Sequence, residues 1–118
     1  MINRKTFLQK LEKAQSFNLT ETDIREYFEK IFVYINSHNF INNLNSRHVA
    51  WSEPLSGRQN TCSENALRCL FKHDFIQALH ETLDVLSDYN KETPLTFNEY
   101  VTLKNIVLVY KNITSPPC

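Results

Sequence analysis

Cys62 is the residue whose type and position come closest to those of a catalytic nucleophile. The sequence predicts a helix that begins near residue 62, and the macrodipole and free N–H groups of a helix N-terminus favour a thiolate. A cysteine hydrolase also needs a histidine within hydrogen-bonding reach of the sulfur. The four histidines show no pattern that converges on Cys62; they are His38, His48, His73 and His80. We therefore expect an ordinary small apolar residue at this position and no enzymatic activity.

The sequence also contains no recognisable motif for a metal site or a nucleotide site. His73, Gln77, His80 and Asp84 share one face of the predicted helix. A metal-binding histidine pair on a helix is spaced i, i+4, whereas these two histidines are seven residues apart. The only glycine, Gly57, cannot supply either glycine-rich nucleotide loop. We expect no metal and no cofactor.

A row of carboxylates is the most ordered charge feature of the chain. On a helical wheel Asp74, Glu81, Asp84 and Asp88 form one stripe beside the apolar arc, and we call these four residues the acidic stripe. Such a row is either ordinary solvated surface or a recognition surface for a basic partner. Trp51 offers the same two alternatives, since it is either a buried side chain or an exposed anchor at an interface.

Basic residues are concentrated at the other end of the chain. They are Arg4, Lys5, Lys10 and Lys13, whose helical spacing could contact phosphate. The formal net charge is zero, and neither a helix-turn-helix spacing, a zinc pair nor an aromatic ribonucleoprotein motif is present. Nucleic-acid binding is therefore the disfavoured alternative.

The composition indicates one folded domain over residues 1–118, with 113–118 as a frayed tail. Hydrophobic residues make up 42% of the 118 residues, which is far from the composition of a disordered chain. No apolar run reaches the roughly 18 residues of a membrane span, and no secretory signal is apparent. With an odd number of cysteines, three, we expect no disulfide framework and a cytoplasmic location.

Capping signals and apolar periodicity predict an all-α bundle of four or five helices. Three hydroxyl residues are followed three positions later by a carboxylate, as in a capping box: Thr20 with Asp23, Thr61 with Glu64, and Thr96 with Glu99. The apolar periodicity predicts helices at about 4–16, 21–37, 62–89 and 97–112. The β-branched run within residues 100–110 leaves a strand, and hence an α+β fold, as the alternative.

These patterns favour a non-catalytic module that binds and inhibits another protein. Small size, the acidic stripe and the absence of a catalytic constellation are typical of bacterial toxin-immunity proteins and antitoxins, which is an argument by class analogy. The expected partner is a protein with a basic surface, bound without a membrane. The alternatives are an enzyme that uses Cys62, a nucleic-acid-binding regulator, and a viral or phage modulator of a host.

Overall fold

The computed structural model describes residues 4–11, 18–38, 54–87 and 95–115, which form five helices. They are α1 (Arg4–Lys10), α2 (Glu21–Asn36), α3 (Gly57–Phe71), α4 (Phe75–Leu86) and α5 (Phe97–Thr114). The described ranges contain no strand, so the predicted all-α bundle is confirmed and residues 100–110 are helical. None of these five helices is both long and apolar enough to cross a lipid bilayer.

Two of the three predicted capping boxes are present. At the start of α2, the Thr20 hydroxyl accepts a hydrogen bond from the Asp23 N–H, and the Asp23 carboxylate accepts one from the Thr20 N–H, both at 3.1 Å. Thr96 and Glu99 make the same reciprocal pair at the start of α5. Each box satisfies backbone donors that a helix N-terminus otherwise leaves free, so the predicted starts of both helices are confirmed.

The third predicted capping box, at Thr61 and Glu64, is wrong because α3 begins at Gly57. The box is formed instead by Ser56 and Gln59, with hydrogen bonds of 3.1 and 3.0 Å. Thr61 lies within the helix, and its hydroxyl donates to the Gly57 carbonyl at 3.0 Å. A serine followed by glutamine three residues later fits the capping-box pattern as well as Thr61 with Glu64 does.

The single helix predicted over residues 62–89 is also wrong, because the chain turns between α3 and α4. The His73 N–H donates to the Leu70 carbonyl at 3.0 Å, and the Asp74 N–H donates to the Cys69 carbonyl at 2.9 Å. These two bonds define a Schellman motif, whose C′ residue adopts the left-handed conformation. His73 has φ 61° and occupies this position, where glycine is usual. A histidine there gives no sequence signal for a helix end.

The core lies between the apolar faces of the helices. α3 and α4 share the most extensive contact, while α5 packs against α2 and α3. Phe7 stacks on Tyr34 with ring centroids 4.0 Å apart, and this contact joins α1 to α2. The largest fully buried apolar side chains are Phe28, Ile31, Ile35, Leu70, Leu79, Leu86, Leu103 and Ile106.

A buried polar network runs through this apolar core. Arg4 and Glu99 are 1% and 0% exposed, and the guanidinium donates to both carboxylate oxygens at 2.7 and 2.6 Å. Gln59 donates from one amide nitrogen to Glu99 at 2.6 Å and to the Val85 carbonyl at 3.0 Å. The Thr96 N–H donates to the same carboxylate at 2.8 Å. One carboxylate therefore connects α1, α3 and the start of α5, and its amide partner extends the network to α4.

The network lowers the pKa of Glu99. Burial by itself would raise the pKa of this carboxyl, but hydrogen bonds from Arg4, Thr96 and Gln59, together with the charge of Arg4, outweigh burial. Glu99 is consequently ionised in the folded protein at neutral pH. The carboxylate stabilises the fold above its ordinary pKa of 4.5, and this contribution is lost as the pH falls through the lower pKa of the folded state.

Glu99→Gln should lower the free energy of unfolding at pH 7 by about 3–5 kcal/mol, because it leaves the Arg4 charge buried without a counter-ion. It should also remove the part of the stability that wild type loses below pH 4.5, since no carboxylate remains to be protonated. Urea unfolding followed by circular dichroism over a pH series measures both effects. Glu64→Gln, at an exposed site, should change stability by no more than about 0.5 kcal/mol. A loss below about 1 kcal/mol for Glu99→Gln would contradict a stabilising role for the network.

His73→Gly should raise the free energy of unfolding by about 0.5–1 kcal/mol, because glycine relieves the left-handed strain but loses more entropy on folding. The neighbouring Lys72 is exposed with φ −88°, so Lys72→Gly gains no such relief and should destabilise the protein by a similar amount. Denaturant midpoints of the two variants make the comparison. Equal effects of the same sign would refute the Schellman assignment.

Candidate functional site

The structure places three members of the acidic stripe on or beside α4. Asp74 precedes the helix as its N-cap, Glu81 is half-buried within it, and Asp84 is exposed near its end. The fourth member, Asp88, and the candidate anchor Trp51 lie outside the described residues. The three described carboxylates lie on roughly the same face of α4, because the N-cap residue Asp74 is seven residues before Glu81, which is about two helical turns.

The contacts of these carboxylates are local. The Asp74 side chain accepts a hydrogen bond from the Gln77 backbone N–H at 3.3 Å, which caps α4. The Gln77 side-chain amide donates to Glu81 at 3.2 Å. Within the described ranges, no lysine or arginine forms an ion pair with Asp74, Glu81 or Asp84. The charges of Arg58 and His80 act on Asp84 from nearby, but no described lysine or arginine is paired with these carboxylates.

Cys62 lies next to this face, a neighbour that the sequence analysis missed. Its sulfur and carboxylate oxygens of Glu81 and Asp84 all lie within 4.8 Å of one another. Cys62 belongs to α3 and the two acids belong to α4, so the group forms only where these helices pack together. No sequence spacing could have indicated it, because residues 62 and 81 become neighbours only once the chain turns at His73.

The electrostatics of the group disfavour a thiolate in the free protein. Burial raises the pKa of Cys62, and the negative charges of Glu81 and Asp84 raise it further. Burial and the charge of Glu81 likewise raise the pKa of Asp84. The thiol is therefore protonated at neutral pH, whereas a cysteine nucleophile requires a depressed pKa.

The helix position of Cys62 differs from the one that suggested a nucleophile. As the sixth residue of α3, it lies beyond the four N–H groups that are free at a helix N-terminus. Of the candidate histidines, His38 is buried and its ring contacts Tyr34 edge-on, while His73 lies against Phe75. The thiolate argument from the helix terminus therefore does not apply.

One of the basic side chains of the N-terminal segment is buried in the core. Arg4 is buried against Glu99, whereas Lys5 and Lys10 are exposed on α1. Lys13 lies outside the described residues. A continuous basic patch that includes Arg4 is excluded, which weakens the alternative of a nucleic-acid-binding surface.

Other surface features lie away from Cys62. A cavity of about 490 Å³ between α1 and α2 is mostly apolar, and its lining includes Phe7, Leu11 and Val33. At the end of α3, Phe71 is 69% exposed, the largest exposed fraction among the exposed large apolar side chains of the described residues. It lies in the same turn of chain as Asp74, so an aromatic ring and a carboxylate are presented together where α3 ends and α4 begins.

Comparison with known proteins gives no functional assignment. No protein-family model matches the chain, and neither the curated proteins nor the solved structures contain a significant match. Function has to be argued from the residues themselves.

Iodoacetamide should modify Cys62 more slowly than a free thiol at pH 7, because burial and two neighbouring carboxylates keep it protonated. The rate should rise with pH, and Asp84→Asn should increase it by removing one negative charge. Peptide mapping by mass spectrometry over a time course measures this for each cysteine. Rapid alkylation of Cys62 near pH 6 would contradict the assignment and restore the enzyme hypothesis.

Proposed function

We propose that this protein is a non-catalytic binding module that recognises a basic surface of another protein through the exposed side of α4. The single observation that carries the proposal is the row Asp74, Glu81 and Asp84, with which no described lysine or arginine forms an ion pair. Exposed charges of one sign on a rigid helix accelerate encounter with a surface of opposite sign. In a chain of zero net charge, this local field is what such a partner would sense.

Phe71 supplies the apolar contact that such a surface needs. Charged rims contribute mainly to the rate and specificity of association, whereas buried aromatic side chains contribute most of the affinity. Phe71 is 69% exposed and lies beside the capping residue Asp74. It takes the role of aromatic anchor that the sequence analysis considered for Trp51, which lies outside the described residues.

The more specific form of the proposal is an inhibitor of a partner protein in the cytoplasm, such as a bacterial toxin-immunity protein or an antitoxin. Its support is the combination of small size, a compact helical scaffold and an acidic face, which suits the neutralisation of a basic protein. A viral or phage modulator of a host would use the same surface, and the genomic neighbourhood separates the two, since an immunity protein is encoded beside its toxin.

The double reversal Glu81→Lys with Asp84→Lys should slow association with the partner by at least about tenfold at low salt, because it replaces attraction by repulsion. The tagged chain first identifies the partner by affinity purification from source cells, and surface plasmon resonance then measures the rates. Raising the salt concentration should slow association of wild type much more than it accelerates dissociation. Phe71→Ala should act mainly on the dissociation rate.

The matched control is Glu26→Lys with Glu64→Lys, which makes the same change in net charge at exposed sites on α2 and α3. Circular dichroism of all variants confirms that each is folded. If the reversed and control chains associate at the same rate as wild type, the acidic row is ordinary solvated surface and the proposal fails.

A further inference from the structure

The group Cys62, Glu81 and Asp84 has the geometry of an incomplete coordination sphere. One potential ligand atom from each side chain lies within 4.8 Å of the other two. In a tetrahedral zinc site, neighbouring sulfur and oxygen ligands lie about 3.5 Å apart, given metal–ligand distances of about 2.0–2.3 Å. Binding of a metal would therefore require the half-buried Glu81 and the exposed Asp84 side chains to move closer to the sulfur.

The group differs from an ordinary surface cluster of acids because it includes a buried sulfur. Cys62 is 9% exposed, and it lies on the inner side of the two carboxylates. The sulfur comes from α3, whereas Glu81 and Asp84 are three residues apart on α4. Metal sites in helix bundles combine an i, i+3 pair on one helix with a ligand on a facing helix in the same way. The carboxylate of Asp84 is exposed to solvent.

The charges of Arg58 and His80 act on Asp84, but Arg58 forms no ion pair with it. Arg58 is the arginine whose charge acts on both Cys62 and Asp84, yet its guanidinium donates to the Ser87 hydroxyl at 3.3 Å. No described lysine or arginine forms an ion pair with either carboxylate. The negative charges of Glu81 and Asp84 lie close together and repel each other. A divalent cation would reduce this repulsion more effectively than Arg58 does from its present position.

We propose that Cys62, Glu81 and Asp84 bind one divalent metal ion of the zinc class, with water in the fourth position. The sulfur selects this class, because magnesium and calcium take oxygen ligands, whereas thiolate favours zinc and related metals. As the metal–sulfur bond forms, the thiol proton is released to solvent, and neither the metal nor the sulfur changes its oxidation state. The proposal goes beyond protein binding and does not depend on it.

Titration of the reduced, metal-free full chain with zinc in a calorimeter should show one site per chain, with an apparent dissociation constant on the order of micromolar or tighter. Affinity should fall as the pH is lowered, since protons compete for Cys62 and Asp84. Cobalt, used as a spectroscopic probe in place of zinc, should give a sulfur-to-metal charge-transfer band. Zinc should also raise the melting temperature of wild type.

Cys62→Ser should remove the charge-transfer band, and Asp84→Asn should weaken zinc binding by at least about tenfold. Asp84 is exposed, so Asp84→Asn keeps the test available if Cys62→Ser fails to fold. The matched controls are Cys69→Ser, the other described cysteine of α3, and Glu64→Gln, an exposed acid of the same helix. Both controls should bind like wild type.

Absence of the cobalt band in wild type, or zinc binding that survives Cys62→Ser unchanged in a folded protein, overturns the proposal. Loss of the band in Cys69→Ser with retention in Cys62→Ser overturns it as well, because the sulfur ligand would then be the wrong one. The result is separable from the proposed protein binding: Cys62→Ser tests only the metal site, and Phe71→Ala tests only the partner surface.

Discussion

The fold depends on placing two opposite charges, Arg4 and Glu99, together inside an apolar core. The residues are 95 positions apart and almost completely buried, so either charge without the other would cost several kcal/mol. Gln59 and Thr96 donate to the same carboxylate and leave few alternative arrangements for it. Because apolar packing tolerates sliding and exchange of side chains more readily than a bidentate ion pair does, this pair fixes how the first and last helices meet.

The same network positions the candidate site. Gln59 lies in the first turn of α3 and donates to the Val85 carbonyl near the end of α4, so it ties the beginning of one helix to the end of the other. At the opposite end of this helix pair, the Schellman turn at His73 connects the end of α3 to the start of α4. With both ends held, Cys62 on α3 faces Glu81 and Asp84 on α4. The convergence of these three side chains is therefore a consequence of helix pairing and does not follow from any local sequence motif.

Some local interactions were predictable from the sequence, whereas the long-range ones were not. Thr20 and Thr96 start helices because a hydroxyl and a carboxylate three residues apart satisfy the same few backbone donors. The turn between α3 and α4 escaped prediction because His73 occupies a position whose usual signal is glycine. The burial of Arg4 was not predictable either, since nothing near it in the chain indicates a counter-ion at position 99. The proximity of Cys62 to Glu81 and Asp84 could not be predicted for the same reason.

Charge is distributed unequally between the core and the surface of this electrically neutral chain. In the core, Arg4 is matched to Glu99 by a bidentate ion pair, so its charge is satisfied and unavailable to a ligand. Where α3 and α4 pack together, no described lysine or arginine forms such an ion pair with Glu81 or Asp84, and the negative charges of both raise the pKa of Cys62. A chain of zero net charge therefore still contains carboxylates to which a ligand could add positive charge. A basic protein surface and a divalent cation are two ways to supply it, and the buried sulfur of Cys62 is what distinguishes them chemically.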